Sequence, residues 1–363
     1  MAEKINIIEV VYKDPYSLEA GGLENYARNI KRVVGKNFNI IFAYSYTDNV
    51  NKNLNKKDIR IRIPQVPIFK KLIFNIKLYT YLKKQKWKGI IHINGDNGIF
   101  CTKLKQVKTV FTLHGSSLQY ASILIRTNPF SFMVILDSTL SGLMELYAYL
   151  TAHSVTGVSR YCIDFMRKFK SREYIIIPPA IEKVYKEINK SKYRAAFGFK
   201  KDELLCIFVG GGAKRKGLST AIKTINKINN NKVKLLIVGP SKKPKINKNC
   251  KFFGRVDKKT LERLYSISDI LFFPSKYEGF PAVIPEAMSF GTVPLVYNKK
   301  PFNEIANNGN SFLVDNSDEF SHVLSKLIYN RKGLLKRRKT CIVGAEKFLA
   351  KNLFAVYSKI FNY

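Results

Sequence analysis

Glu278 and Glu286 stand eight positions apart in the stretch SKYEGFPAVIPEAMSFGTVPL. Ahead of them, Ile270 to Phe273 is an apolar run that predicts a buried strand; Pro274, Ser275 and Gly279 break it, and a helix is expected from about Pro281 to a cap at Gly291. Proline suits a first helical position because its missing N–H would have no partner there, and glycine suits the far end. A helix start presents free N–H groups and a partial positive charge, so the amides of Ala282 and Val283 are candidates to face a phosphate. Glu278 precedes that anion site and Glu286 lies about a turn inside the helix. Ionised carboxylates accept hydrogen bonds through both oxygens, which suits one of the pair to the hydroxyls of a sugar and the other to a ribose diol. A surface loop acid beside a solvated helix acid is the plainer reading of the same residues.

A second cluster lies upstream. Leu205 to Gly210 reads as a strand, followed by GGAKRKGLSTAIKTI, a glycine-rich loop leading into a helix. Gly210, Gly211 and Gly212 offer flexible backbone N–H groups, and Lys214, Arg215 and Lys216 follow as counter-charges for a diphosphate leaving group. Charge placed where negative charge develops is usually the largest catalytic contribution. An ordinary solvated basic turn is the alternative. In the amino-terminal half, Ile5 to Val11 predicts a strand, and EAGGLENYARNIKRVV places Gly21 and Gly22 before an amphipathic helix with Leu23, Tyr26, Ala27 and Ile30 on its apolar stripe. Thr109 to Leu113 predicts another strand, ending in His114-Gly115 at the carboxyl end, where open α/β sheets bind ligands. His92 and His153 also follow apolar runs, and a lone histidine is more often structural than functional.

With these motifs in view, EGFPAVIPEAMSFGTVPL resembles the Glu-x7-Glu signature of family 4 glycosyltransferases, the glycosyl transferases group 1, retaining enzymes of the GT-B fold. FFGRVDKKTLERLYSISDILFFPSKYEGF is similar to the family's lead-in, in which backbone near Arg255 and Val256 would meet the nucleotide base. The glycine loop resembles the family's diphosphate loop, although many members carry an Arg where this chain has Gly211; Arg215 beside Lys216 would take that role, as in the lipopolysaccharide glucosyltransferase branch. The resemblance covers nearly the whole chain and is strongest from Leu205 to Leu313. It implies that Gly21 and Gly22 face donor and acceptor, and that His114 contacts the donor sugar. It also implies that Glu278, with Gly279 and Phe280, positions that sugar, and that Glu286 holds the ribose.

The same resemblance implies a hexosyltransferase of the EC 2.4 class that uses UDP- or GDP-hexose. The donor diphosphate would lie between Gly22 on one domain and Arg215, Lys216 and the amides of Ala282 and Val283 on the other. Displacement would occur on the front face, the leaving phosphate accepting the acceptor's proton. The acceptor would be a glycan or a lipid-linked molecule. No Asp-x-Asp motif is present, in keeping with catalysis that needs no cofactor and no metal. After Pro294 the family often has a glycine pair near the acceptor sugar; VYNKKPFNEIA stands here instead and leaves the sugar's identity open. A sugar phosphorylase or epimerase on the same fold is the alternative enzyme.

Positioning these residues requires two α/β cores. At 363 residues, 46% of them apolar, the chain is long enough for two domains. Strand-like runs alternate with helical stretches, as in parallel sheets. The expected boundary follows IIIPPAIEKVYK at Pro178 and Pro179, giving an acceptor-side Rossmann-like domain over 1–180 and a nucleotide-sugar domain over 181–345, facing across a cleft. The segment Glu346 to Tyr363 has helical spacing and is expected to cross back to the first domain.

The net charge of +37 calls for an acidic partner, such as phosphates, an anionic membrane surface or nucleic acid, unless it reflects compositional bias toward Lys. Basic residues are scattered through KKQKWK, KLKQVK, AKRKG, SKKPKINKNCK and NRKGLLKRRK, and no zinc-finger spacing, RRM signature or continuous basic helix is visible, which argues against a nucleic-acid-binding protein. Between Arg126 and Arg160 the only charges are Asp137 and Glu145, so NPFSFMVIL and MELYAYL are expected to form an interfacial or acceptor-facing element or to pack in the core. Pro129 and Asp137 leave too short an apolar stretch to span a membrane. MAEKINIIEVV lacks the apolar block of a signal peptide, so a cytoplasmic chain, peripheral on the cytosolic membrane face, is expected. Cys101, Cys162, Cys206, Cys250 and Cys341 are widely spaced and suggest neither a zinc motif nor a disulfide framework.

Overall fold

The computed structural model describes residues 4–17, 20–47, 57–65, 69–182, 190–212, 214–307 and 309–362. The chain divides into two compact units, Met1–Ala180 with Leu353–Tyr363, and Ile181–Asn352.

Among the described residues, the first unit holds seven parallel strands: β1 (Asn6–Val10), β2 (Asn39–Tyr46), β3 (Ile59–Arg62), β4 (Gly89–Asn94), β5 (Val107–Leu113), β6 (Ser154–Gly157) and β7 (Ile175–Ile176). They lie in the order β3-β2-β1-β4-β5-β6-β7. The second unit holds β8 (Leu204–Val209), β9 (Val233–Val238), β10 (Cys250–Gly254), β11 (Ile270–Phe272), β12 (Val293–Tyr297) and β13 (Phe312–Val314), in the order β10-β9-β8-β11-β12-β13 and again all parallel. Strands covered on both faces read as unbroken apolar runs, and LLCIFV of β8 is buried at every position. Each sheet reverses its strand order once, between β1 and β4 and between β8 and β11. Such a switch point opens a crevice at the carboxyl ends of the strands.

Helices that matter below are α1 (Gly22–Val34), α2 (Lys70–Lys84), α3 (Ser117–Thr127) and α4 (Phe132–Thr151). The carboxy-terminal segment differs from its expectation as one helix from Glu346. One helix, Lys332–Glu346, ends there and a second, Ala350–Lys359, begins after a short break. The break has a partner: Ile181 donates its N–H to Phe348 O at 2.8 Å and accepts from Ala350 N at 3.2 Å. A strand-like bridge of this kind is incompatible with helical hydrogen bonding at the same residues.

At the amino-terminal ends of the central strands of the second unit, Asp269 gathers several donors. It receives Arg194 Nη2 at 2.6 Å and Leu205 N at 3.0 Å, with Lys190 Nζ at 3.5 Å and Arg338 Nη1 at 3.6 Å. Burial acts to raise this carboxyl, but Lys190, Arg194 and the Leu205 amide outweigh it and hold it below the usual carboxylate range. The cluster ties β8 to β11 from below and so fixes the crevice above. Asp269→Ala leaves Arg194 buried without its carboxylate and is expected to destabilise the chain by about 3–5 kcal/mol in denaturant unfolding; a loss under about 1 kcal/mol would show that water replaces the pair.

Candidate functional site

Two loops meet above the switch point of the second sheet, one following β8 and one following β11, whose strands pair through Cys206 with Ile270 and Ile207 with Leu271. They approach so closely that only glycine fits at 217: its φ is +79°, and a Cβ there would stand 2.1 Å from Pro274 O. Lys276 N donates to Arg215 O at 2.8 Å, Ser275 Oγ to the same oxygen at 3.1 Å, and Arg215 Nη1 to Tyr277 O at 2.7 Å. Lys214–Lys216 forms a single 3-10 turn, which presents Arg215 and Lys216 to the β11 loop.

The focus of both loops is the buried Glu278. Its Oε1 accepts from Lys216 Nζ at 2.6 Å, Ser275 Oγ at 2.9 Å and Arg215 Nη1 at 3.1 Å. Lys216 Nζ also lies 5.4 Å from the centre of the Phe273 ring. Burial draws the Lys216 ammonium below the ordinary lysine value, opposed by Glu278 and reinforced by Arg215. Two cations on one carboxylate oxygen leave positive charge in excess, an arrangement suited to receiving an anion.

The glycines of the loop divide into two kinds. Gly239 is demanded by the fold, since a Cβ there would meet Gly210 O at 2.5 Å with φ at +109°. Gly211 and Gly212 have no such constraint: a Cβ on either would meet nothing within 4 Å, and neither has a positive φ. The same holds for Gly22 in the first unit. Packing therefore does not explain these three glycines, whereas close approach of a ligand to bare backbone would.

Following the β11 loop, the helix is Val283–Ser289, shorter and later than expected. The Ala282 amide is not free to face a phosphate, because it donates to Phe280 O at 3.0 Å in a turn that closes on itself. Pro285 falls within the first turn, where its absent N–H leaves no intrahelical bond unmade. Gly291 ends the helix as expected, in the left-handed region at φ +68° and donating to Met288 O at 2.9 Å. Glu286 is half-buried and accepts from Tyr265 Oη at 3.3 Å. Burial raises its carboxyl to about 7, against the pull of Tyr265 and Lys258.

The comparisons with known proteins fall on this unit. The model of the family described as glycosyl transferases group 1 matches residues 189–348, which contain both loops and both glutamates. The match spans both loops and the strands that carry them. An uncharacterised glycosyltransferase of Methanocaldococcus jannaschii is 31% identical over 119 residues, 30% of this chain and 30% of its own length. The alignment thus spans about a third of that relative or less. Sucrose-phosphate synthase from Thermosynechococcus elongatus superposes with a TM-score of 0.81 at 17% identity, covering 99% of this chain and 98% of its own. Anabaena HepE, solved in complex with UDP-glucose, gives 0.75 at 15% identity and covers 99% of both chains. The chain has the GT-B fold.

Within the matched segment, Arg255 and Val256 follow β10 directly, Arg255 exposed and Val256 half-buried, ahead of a helix Lys258–Ile267 capped by Asp257. Gly279 is buried and Phe280 packs edge-on against Phe348 with ring centres 5.6 Å apart. Two partners escaped the sequence reading: Ser275, on the Glu278 oxygen, and Tyr265, on Glu286. Ser275 lies in the same loop three positions before Glu278, a spacing that suits a local side-chain bond.

In the amino-terminal unit, Gly21 is the residue before α1 and Gly22 its first. Gly21 is held by Glu24, whose Oε2 accepts from Gly21 N at 2.8 Å and whose Oε1 accepts from Lys13 N at 3.2 Å. Leu18 and Glu19 of the glycine motif lie outside the described residues. His114 sits at the end of β5 in a network that reaches into the sheet. Its Nε2 is 2.9 Å from Asn94 Oδ1; Asn94 Nδ2 donates to Glu9 Oε2 at 3.0 Å; and Glu9 Oε1 is 2.8 Å from His92 Nδ1. Because the Asn94 amide donates to Glu9, its oxygen faces His114, so Nε2 carries the proton and Nδ1 keeps its lone pair. Glu9 and Asn94 were also missed, although an acid in the middle of IIEVV is a sequence signal of a buried network. The five cysteines are buried and none forms a disulfide, and among the described residues no group of three or more His, Cys, Asp or Glu side chains is placed to hold a metal ion.

Burial, with His92 nearby, lowers the His114 imidazole to about 3. A histidine whose folded value lies that far below its ordinary one stays neutral across the physiological range. Nitrogen-15 spectra of His114 are therefore expected to show the Nε2–H tautomer unchanged from pH 8 to pH 5; a titration midpoint near 6.5 would contradict the network.

Proposed function

We propose that this chain is a retaining glycosyltransferase of family 4. It moves a hexose from a UDP- or GDP-hexose to a glycan or lipid-linked acceptor, with no metal ion required. The observation that carries the reading is the placement of Lys216 and Arg215 on one oxygen of Glu278 at the switch point of the second sheet, within the segment that the group 1 model matches. The donor diphosphate, arriving beside Gly211 and Gly212, draws the two cations from Glu278. Lys216 and Arg215 then meet the negative charge that grows on the departing phosphate. Glu278, relieved of them, accepts hydrogen bonds from the hexose hydroxyls and orients the ring. Glu286 accepts from the ribose diol with its charge supported by Tyr265, and the backbone at Arg255 and Val256 meets the base. The Val283 end of its helix faces the phosphates without the Ala282 amide.

For the amino-terminal unit, the reading assigns the bare Nδ1 of His114 to a hydroxyl of the donor hexose and the unobstructed backbone at Gly22 to the ligand. HepE, a structural neighbour crystallised with UDP-glucose, supports a UDP donor. The reading places the chain in the cytoplasm, with an anionic membrane surface as a further partner drawn by its charge.

Thermal unfolding with UDP-, GDP- and ADP-glucose in EDTA tests this. Donor at about 100 times its Kd adds roughly 2.7 kcal/mol, a rise of several degrees. Glu286 must be ionised to accept two ribose hydroxyls, and its carboxyl titrates at about 7. Donor affinity is therefore expected to rise up to about tenfold between pH 6 and pH 8, and Glu286→Gln is expected to be weak and flat with pH. Lys216→Ala is expected to weaken donor binding modestly and mainly to lower turnover, about 100- to 1000-fold. Stabilisation by inorganic phosphate alone would instead indicate a phosphorylase, and retention on DNA that no nucleotide sugar displaces would indicate a binding protein.

A further inference from the structure

The first turns of α4 are built inside out, while its second half buries Met144, Ala148 and Tyr149 in the usual way. The residues the helix buries include Ser138, Ser141, Gly142 and Glu145, while Phe132, Met133, Val134 and Leu136 in its first turns are exposed. Exposure peaks at the turn joining it to α3: Phe130 is 96% exposed, Phe132 68%, Met133 57% and Ile125 56%. A soluble helix normally buries its large apolar side chains and shows its serines to water. From Thr127 to Leu136 the hairpin tip carries no charged side chain at all.

The base of the hairpin is firmly docked, so the tip is a projection and not a loose end. A Cβ on Gly142 would stand 2.5 Å from Leu118 N, which brings α3 and α4 into close contact. Glu145 accepts from Ser117 N at 2.9 Å and from Ser117 Oγ at 2.8 Å, joining the start of α3 to the middle of α4. Exposed basic residues lie on the elements behind the tip. Arg126 lies in the last turn of α3, and Lys70 opens α2, whose next residue Lys71 reaches Ser141 of α4 at 3.3 Å. Phe69, also exposed, stands beside Lys70. Asp137 is the only acidic side chain between Thr127 and Met144.

We propose that the α3–α4 tip inserts shallowly into an anionic phospholipid bilayer, with Phe130, Phe132 and Met133 among the acyl chains and Arg126 and Lys70 at the headgroups. An uncharged apolar tip backed by cations matches the layering of such a surface. A second copy of the chain is the poorer occupant, because two molecules of net charge +37 repel whereas an anionic bilayer attracts. Among the described residues, no helix is long and apolar enough to cross a membrane, so the contact is shallow, roughly 5–10 Å deep. The inference rests on the reading that an anionic membrane is a partner of this chain, and it assigns that partner a contact element.

The test is cosedimentation of the full chain with vesicles of phosphatidylcholine alone and of phosphatidylcholine mixed with phosphatidylglycerol. A triple variant, Phe130→Ser with Phe132→Ser and Met133→Ser, is run beside the wild type. The wild type is expected to bind the anionic vesicles, and the variant to bind at least about tenfold more weakly while keeping its melting temperature. Equal binding by the variant would overturn the insertion and leave a purely electrostatic membrane contact. Failure of the wild type to bind the anionic vesicles would overturn the membrane reading and the insertion together. A wild-type dimer that becomes monomeric in the variant would also overturn it, since the tip would then be an interface between copies. The response to UDP-glucose, followed in the same samples, reports on the donor site separately.

Discussion

The carboxylate of Glu278 is the point on which the second unit's loops depend. A glycine-rich loop and a strand-to-helix turn, far apart in sequence, become one surface because three donors converge on a single oxygen. Without a buried acid at that position, Lys216 and Arg215 would repel one another across a short gap; with it, they are held together and oriented. The backbone completes the junction through Gly217 against Pro274 and Lys276 against Arg215. In the proposed function, this buried carboxylate stands in for an anionic ligand, and the excess positive charge around it favours exchange for a phosphate.

The two units solve the same problem with different chemistry. Each places its polar residues at the carboxyl ends of strands flanking a switch point, the position that parallel sheets leave open. The second unit fills that position with cations around an acid. The amino-terminal unit fills it with a hydrogen-bonded chain, Glu9 to Asn94 to His114, in which each hydrogen bond fixes the direction of the next. Asp269 in one unit shows how the base of such a sheet is secured, by a buried carboxylate surrounded by Lys190, Arg194 and Arg338.

Much of this was legible in the sequence, and what was not has identifiable reasons. Unbroken apolar runs such as LLCIFV mark strands that are covered on both faces, and their ends were placed to within a residue or so at β8, β11 and β1. Glu278, Lys216 and Arg215 were identifiable as candidates by type and position, but their mutual pairing was not, since it requires knowing that β8 and β11 are neighbours. The Ala282 amide was assigned to a ligand because Pro281 resembles a helix start; a local turn from Phe280 captured it first. The break before Ala350 was hidden because Phe348 and Leu349 keep helical spacing, while Ile181, distant in sequence, takes the Phe348 carbonyl and the Ala350 N–H. For α4, composition left core packing and an interfacial role equally open, and only the exposure of Phe130 and Phe132 favours the second.

The most direct test of the account is a crystal structure of the chain with UDP bound, read at Lys216. The account predicts that Lys216 Nζ leaves Glu278 Oε1, 2.6 Å away in the free chain, for an oxygen of the diphosphate beside Gly211 and Gly212. A structure with UDP bound elsewhere, or with Lys216 still paired to Glu278 and no phosphate within hydrogen-bond reach, would contradict it.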